Sequence, residues 1–454
     1  MKLHRRTLLS AGGAAMLAAC ASRTSLVSAV SSATTRLDFP AGFLWGAASA
    51  GHQTEGNNVA SDIWLLEHVP ETVFADRSGD ATNSFELWPA DLDLVKSLGL
   101  NACRFSIEWA RIEPAEGEFS LAMLDHYRNI IEGCRARNLA PLVTFNHFAA
   151  PAWFSARGGW LNPSAPALFA RYCGVAARHL AAGISHAVTI NEPNLLLLLR
   201  SIGLPQFVRD GISRMLDAAT RQTGGERFSA LNAMKWQDID SAQINLLTGH
   251  RLARNAIKQA RPDLPVGVSL AIIDEHAEGA EGPRDRIREE LYGAWLEAAK
   301  EDDFIGVQNY ERSRIGPDGR LPQPADAVVN FSGTEVYPAS LAGAVRYAHR
   351  VSGRPVLITE HGVGTDDDAM RARFIEHSLV HLHAAIADGV PVLGYTHWTL
   401  LDNFEWIFGY APKFGLVAVD RQRFTRTPKR SAAVLGQIAR MNSVTTQVGA
   451  WPNQ

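Results

Sequence analysis

From residue 40 onward, short apolar runs alternate with longer stretches in which apolar residues recur at helical spacing. The runs are FLWGAAS (43–49), ACRFSIEW (102–109), APLVTFNH (140–147), HAVTINE (186–192), VGVSLAIID (266–274), FIGVQNY (304–310), PVLITE (355–360) and VLGYTHW (392–398). They are rich in β-branched and large apolar residues, a pattern that predicts strands buried on both faces. Between them the period lengthens. Leu168, Tyr172, Val175, Ala176 and Leu180 share one face of 168–180, and Ile375, Leu379, Leu382 and Ile386 share one face of 370–387. Strands separated by helices imply parallel pairing, because crossovers lay the helices over the sheet. Eight strands suit a closed barrel better than an open sheet. The expected fold class is therefore α/β, a single (β/α)8 TIM barrel with extended βα loops over residues 39–445. The length of 454 residues would also allow two or three domains, but α/β barrels run long as single ones.

Polar residues gather where the strands end. Gln53 lies just past the first strand, and Arg104 and Glu108 lie on the second. His147 ends the third, Asn191 and Glu192 the fourth, Tyr310 the sixth, Glu360 the seventh and Trp398 the eighth. Strand ends are wetter in general, which accounts for some of these; the C-terminal rim is also where barrels build their sites. A carboxylate just beyond a buried strand is costly to keep charged unless something pairs with it. Strands four and seven are expected to face each other across the barrel, so Glu192 and Glu360 point into one cavity. Paired carboxylates flanking a scissile bond are the chemistry of glycoside hydrolysis. Like charges close together do not both ionise cheaply, so one pKa rises and that group becomes the acid. Arg104 is placed to hold Glu360 ionised, and Asn191 to hydrogen-bond a sugar hydroxyl.

Seven stretches carry a resemblance. FLWGAASAGHQTEG, RFSIEWARIEP, TFNHFAAP, TINEP, DFIGVQNY, ITEHG and WTLLDNFEWIFGYAPKFGL occur in the same order as the motifs of glycoside hydrolase family 1. This is the β-glucosidase family of retaining barrel enzymes, and the resemblance covers residues 39 to 440. It implies that Glu360 is the nucleophile, supported by Arg104 and Tyr310, and that Glu192 is the acid/base, with Asn191 its sugar-contacting neighbour. It further implies that Gln53, His147, Glu405 and Trp406 hold the hydroxyls of the terminal sugar over the face of Trp398. No cofactor and no metal is implied, and the chain has neither a Cys-x-x-Cys pair nor a His-Glu-x-x-His helix. The implied partner is a small-molecule or oligosaccharide β-glycoside.

Several positions depart from the family pattern. His361 stands for the usual Asn after the nucleophile, Phe148 for Trp, His52 for Tyr, and Gln308-Asn309 for the commoner Asn-Tyr. His52 and Phe148 resemble tolerated variants; a protonated His361 would stabilise the Glu360 anion. The five leucines from Leu195 to Leu199 are open to two readings: the buried start of a helix, or an apolar wall favouring hydrophobic aglycones. Two other functions share these residues. A non-catalytic sugar-binding lipoprotein would keep the pocket without turnover. A 6-phospho-β-glycosidase would need cations near the sugar's sixth position, where Glu405 would repel a phosphate.

Composition narrows the picture further. A formal net charge of −3 leaves no basic surplus to neutralise phosphates, which argues against nucleic acid as a partner. The start, MKLHRRTLLSAGGAAMLAAC, is basic and then apolar over too few residues to span a bilayer. Arg5-Arg6 resembles a twin-arginine export signal and Leu17–Cys20 a lipobox, with Cys20 the acylated residue. The plainer reading is an ordinary secretory signal with a chance cysteine. Either way residues 1–20 are expected to be a signal and 21–38 a flexible tether. The protein is expected on the periplasmic side, lipid-anchored to a bacterial membrane through its N-terminus alone. Cys103, Cys134 and Cys173 permit at most one internal bridge, and their apolar surroundings predict buried free thiols.

Overall fold

The computed structural model describes residues 35–279, 282–446 and 451. Eight parallel strands close into a barrel: β1 (Leu44–Ala48), β2 (Ala102–Ser106), β3 (Ala140–Asn146), β4 (His186–Asn191), β5 (Val266–Ala271), β6 (Phe304–Asn309), β7 (Val356–His361) and β8 (Val392–Trp398). They pair in chain order, and β8 closes onto β1. Each apolar run of the sequence is one of these strands. Two runs overshoot. Glu108 has already left β2 and precedes a short helix, Trp109–Ile112. After Ala271 the chain stays apolar but departs from the barrel, and Asp274–Ala277 pairs with Arg312–Gly316, which carries Gly319–Arg320 on its other edge.

Ala102, Leu142, Val188, Phe304 and Leu357 fill one apolar layer inside the barrel. Farther along the same strands the inward positions turn polar, with Arg104, Ser269, Gln308 and Thr359 all buried. Polar groups survive there because they bond to one another, as Ser269 does to Thr359. The register is also uneven. β4 shifts against β5 between Val188 and Asn191, and β7 shifts against β6 between Ile358 and Glu360. Simple alternation from inward-facing Leu357 would put Thr359 and His361 inside and Glu360 outside. The shift turns Glu360 inward and sends His361 out, the usual effect of a bulge on aim.

Three expectations change, and the open reading of the leucine run is decided. β5 and β6 alone separate β4 from β7 on one side, so the two strands are oblique rather than opposite. The leucine run forms the helix Leu195–Ile202; Leu196 and Leu198 are buried, and Leu195, Leu197 and Leu199 pack against the main core. It is the buried start of a helix, not an open wall. Arg36–Asp38, placed in the tether for its small and polar surroundings, pairs antiparallel with Ser443–Thr445. Trp451, past the expected boundary at 445, is buried beside Phe374. Cys103, Cys134 and Cys173 are buried free thiols. The twin-arginine pair, Cys20 and the tether up to residue 34 lie outside the described residues.

Candidate active site

Glu360 is buried at the end of β7, and both its carboxyl oxygens are engaged. Arg104 of β2 reaches Oε1 at 2.5 Å, and Gln308 of β6 donates to the same oxygen at 3.0 Å. Tyr310 donates its hydroxyl to Oε2 at 2.6 Å. The other arm of Arg104 donates to Asn191 Oδ1 at 2.6 Å, which also accepts from Gln308 at 2.6 Å. One guanidinium and one amide thus tie β2, β4, β6 and β7 together. Burial raises the pKa of Glu360, opposed first by the Arg104 charge and then by the Tyr310 hydrogen bond.

Glu192 is different. It is half-buried just past β4, with its backbone N–H donating to the Ser269 carbonyl at 2.8 Å. Its carboxyl has no hydrogen bond or ion pair among the described residues. Burial first, and the Glu360 charge second, push its pKa well above the usual carboxylate range. Of the two carboxyls the proton belongs on Glu192, a division that suits acid and base work. The neighbouring charge raises this pKa as expected, and desolvation adds the larger share. The backbone of Glu192 is also strained, at φ +44°. Among the described residues only Ala81, Phe148, Glu192, Trp406 and Phe424 have positive φ without being Gly or Asn, and three of these five surround this pit. Such conformations cost about 1–3 kcal/mol each and persist where the surroundings enforce them.

The sugar-side residues form an adjoining wall. Gln53 Nε2 donates to Glu405 Oε2 at 3.2 Å and to the Phe404 carbonyl at 2.7 Å. Burial, followed by the Glu360 charge, pushes the Glu405 carboxyl up to about 8, against hydrogen bonds from Gln53 and Trp398. His147 stacks with Trp398, at 5.6 Å, and with Trp406, at 6.1 Å, and meets Asn191 Nδ2 at 3.2 Å. Burial holds His147 well below its usual pKa, so its ring is neutral. Gln53 Oε1 and His147 Nδ1 are buried with no protein partner among the described residues. Each such group costs about 1–3 kcal/mol, which a polyhydroxylated ligand would relieve.

All ten described residues nominated from the sequence fall into these two adjoining groups. Cys20 lies outside the described residues. Gln308 shows in the sequence only as a departure; it sits near the end of β6, two residues before Tyr310, which lies just past the strand, and that spacing is the available signal for a shared inward aim. His52 does more than substitute for Tyr: it pairs with buried Glu67 at 2.8 Å and stacks on Trp406 at 5.9 Å and 8°. The charged role considered for His361 is overturned. Its ring faces outward, stacked on Phe374 at 4.7 Å, and burial lowers its pKa to about 3, so it is neutral and turned away from Glu360.

Comparison with known proteins places this geometry. The family model described as Glycosyl hydrolase family 1 matches residues 35–213 and 321–444. The crystal structure of beta-glycosidase BGL167 is similar with a TM-score of 0.84 and 44% identity, over 92% of this chain and 99% of that one. The Beta-glucosidase of Agrobacterium sp. is 30% identical over 451 residues, covering 87% of this chain and 93% of its own. The 1,4-beta-D-glucan glucohydrolase of Thermotoga neapolitana is 26% identical over 461 residues, covering 90% and 99%.

Proposed function

This chain belongs to glycosyl hydrolase family 1 and is a β-glycosidase; from that premise we propose that it removes terminal β-D-glucosyl or related residues by double displacement. The sugar rests on Trp398, with its hydroxyls held by Gln53, His147, Glu405 and Trp406. Glu360 attacks the anomeric carbon while Glu192 gives its proton to the departing oxygen, so the leaving group exits neutral. The new ester removes the negative charge of Glu360. One of the causes that raise the pKa of Glu192 is then gone, and Glu192 becomes a base. It takes a proton from water, which attacks the same carbon and restores the original β configuration.

The observation that carries this reading is the asymmetry of the two carboxyls. Glu360 accepts from Arg104, Gln308 and Tyr310, whereas Glu192 has no side-chain partner and a raised pKa. Nothing in the pit favours the sugar-binding or 6-phosphoglycosidase reading. The deciding experiment is turnover of a panel of aryl β-glycosides by the wild type and Glu360→Gln. The expected result is turnover by the wild type and a loss of ~10^4-fold or more in the variant. Sugar binding without turnover of any member would instead make this a binding protein. Export and a lipid anchor at Cys20 belong to the same proposal and are supported by the Arg5-Arg6 and Leu17–Cys20 stretches. Cys20→Ala should move the protein from the membrane to the soluble fraction.

A further inference from the structure

β7 and β8 lie side by side, and each carries a residue of the pit near its end, Glu360 on the first and Trp398 on the second. Beside each stands a histidine, and the two histidines are partners in the register, His361 against His397. Neighbouring side chains on a strand point to opposite faces. Glu360 and Trp398 face the pit, so His361 and His397 face the outer layer, where His361 meets Phe374 of the helix Asp368–Ala387. Just beyond, a side chain at Gly362 would strike the Trp398 carbonyl, so the two strand ends run in close contact.

Behind the pit the two imidazoles share one hydroxyl. Tyr395, two residues before His397, meets His361 Nδ1 at 3.1 Å and His397 Nδ1 at 3.2 Å. All three side chains are fully buried. Burial lowers the pKa of His361 to about 3, and burial followed by the Arg371 charge holds His397 well below its usual value, so both rings are neutral. A phenol hydroxyl carries one proton; it donates to one Nδ1 and accepts from Nδ1–H of the other. The rings therefore take opposite tautomers, and each bond fixes the other. Nε2 of His361 has no partner among the described residues. Tyr395 is its one hydrogen bond there, and the stack on Phe374, at 4.7 Å and 14°, completes its hold.

The hold inside the pit is of another kind. Arg104, Gln308 and Tyr310 bond to the carboxylate of Glu360, and charge strengthens those bonds. The charge is consumed when Glu360 becomes an ester. The contacts behind the strand touch no reacting atom and persist through the cycle. The strand itself sets this aim loosely, because β7 shifts register between Ile358 and His361 against β8 and between Ile358 and Glu360 against β6. We infer that His361, Tyr395 and His397 form a brace that locks β7 to β8 and so fixes the reach of Glu360 toward a sugar resting on Trp398. They are positioning residues for nucleophilic attack, not for sugar binding. The inference rests on the hydrolase reading above.

The test traps the nucleophile with 2,4-dinitrophenyl 2-deoxy-2-fluoro-β-glucoside. Glu360 bonds to the anomeric carbon as dinitrophenolate leaves, and no proton from Glu192 is needed. The first-order rate constant of trapping reads the attack, and inhibition by glucose reads the sugar wall. One dinitrophenolate released per competent site counts the folded molecules, so a lower yield of protein leaves the rate constant unaffected. Tyr395→Phe and His361→Leu should each lower the rate constant about tenfold, short of the ~10²-fold that a 1 Å misplacement costs, with glucose inhibition unchanged. His361→Asn, whose amide reaches where Nδ1 stood, should recover part of the rate. Unchanged trapping in both variants overturns the brace. Equal losses in trapping and in glucose affinity overturn it as well, since the residues would then only hold the fold; so does a His361→Asn protein as slow as His361→Leu, or a Tyr395→Phe protein that does not fold. A wild type that is neither trapped nor able to turn over any aryl β-glycoside overturns the hydrolase reading, and the brace falls with it.

Discussion

Two regions of this domain bury the same set of side chains. In the pit, Glu360 is held by Arg104 and Tyr310, and Glu192 is the second carboxyl. Next to the helix Trp109–Ile112, Glu55 is held by Arg111 at 2.7 Å and Tyr127 at 3.1 Å, and Glu108 is the second carboxyl. In both regions burial is the largest upward push on the second carboxyl, and the partner carboxylate is the next. The difference lies in what that second group touches. Glu108 accepts from Asn58 at 2.8 Å and Ser106 at 2.9 Å, and it is 2% exposed. Glu192 is half-buried, unpartnered at its carboxyl and strained at its backbone. A carboxyl that is sealed and satisfied holds the fold together. One that is open and unsatisfied is free to lend a proton.

The largest effect that would sharpen this contrast is on Glu360. Glu360→Gln should lower kcat by ~10^4-fold or more in a protein that still folds, at a cost in stability because Arg104 is left buried without its carboxylate. Glu192→Gln should cost ~10²–10⁴-fold on substrates with poor leaving groups, and much less on dinitrophenyl glucosides that need no proton. Its pH profile should also lose the basic limb; a limb that persists unchanged would remove Glu192 from the acid role.

In the other cluster only the stability cost is expected. Glu55→Gln leaves Arg111 buried beside a neutral group, and denaturant titration should show a loss of ~3–5 kcal/mol with kcat little changed. Loss of turnover in a fully folded Glu55→Gln protein would break the comparison. The smallest effect concerns pH. Below about 4.5 Glu108 is protonated in both folded and unfolded chains. Between 4.5 and about 7 the folded chain keeps a proton that the unfolded chain releases, so stability falls as pH rises and the loss is complete above 7. Glu108→Gln removes that term. Calorimetry at pH 5 and pH 8 should show a smaller difference in melting temperature than in the wild type.

Much of this was legible in the sequence because buried parallel strands write themselves as nearly continuous apolar runs. All eight runs became strands, and the strand-end rule with seven ordered motifs picked out the pit. What escaped depended on aim and on distant partners. A glutamine reads alike whether it points in or out, so Gln308 showed only as a departure. The register shift in β7 decides that Glu360 faces in and His361 out, and no residue type announces it. The pairing of Arg36–Asp38 with Ser443–Thr445 joins the two ends of the domain, where local composition is silent. Glu108 sits at a strand end as the site residues do, and only its partners reveal that its work is structural.

Retention through Glu360 is tested most directly by proton NMR during the first minutes of hydrolysis of an aryl β-glucoside. Double displacement predicts that β-glucose forms first, with the α anomer growing only as fast as mutarotation supplies it. If α-glucose formed first, water would have attacked the substrate directly, and Glu360 would not be a nucleophile.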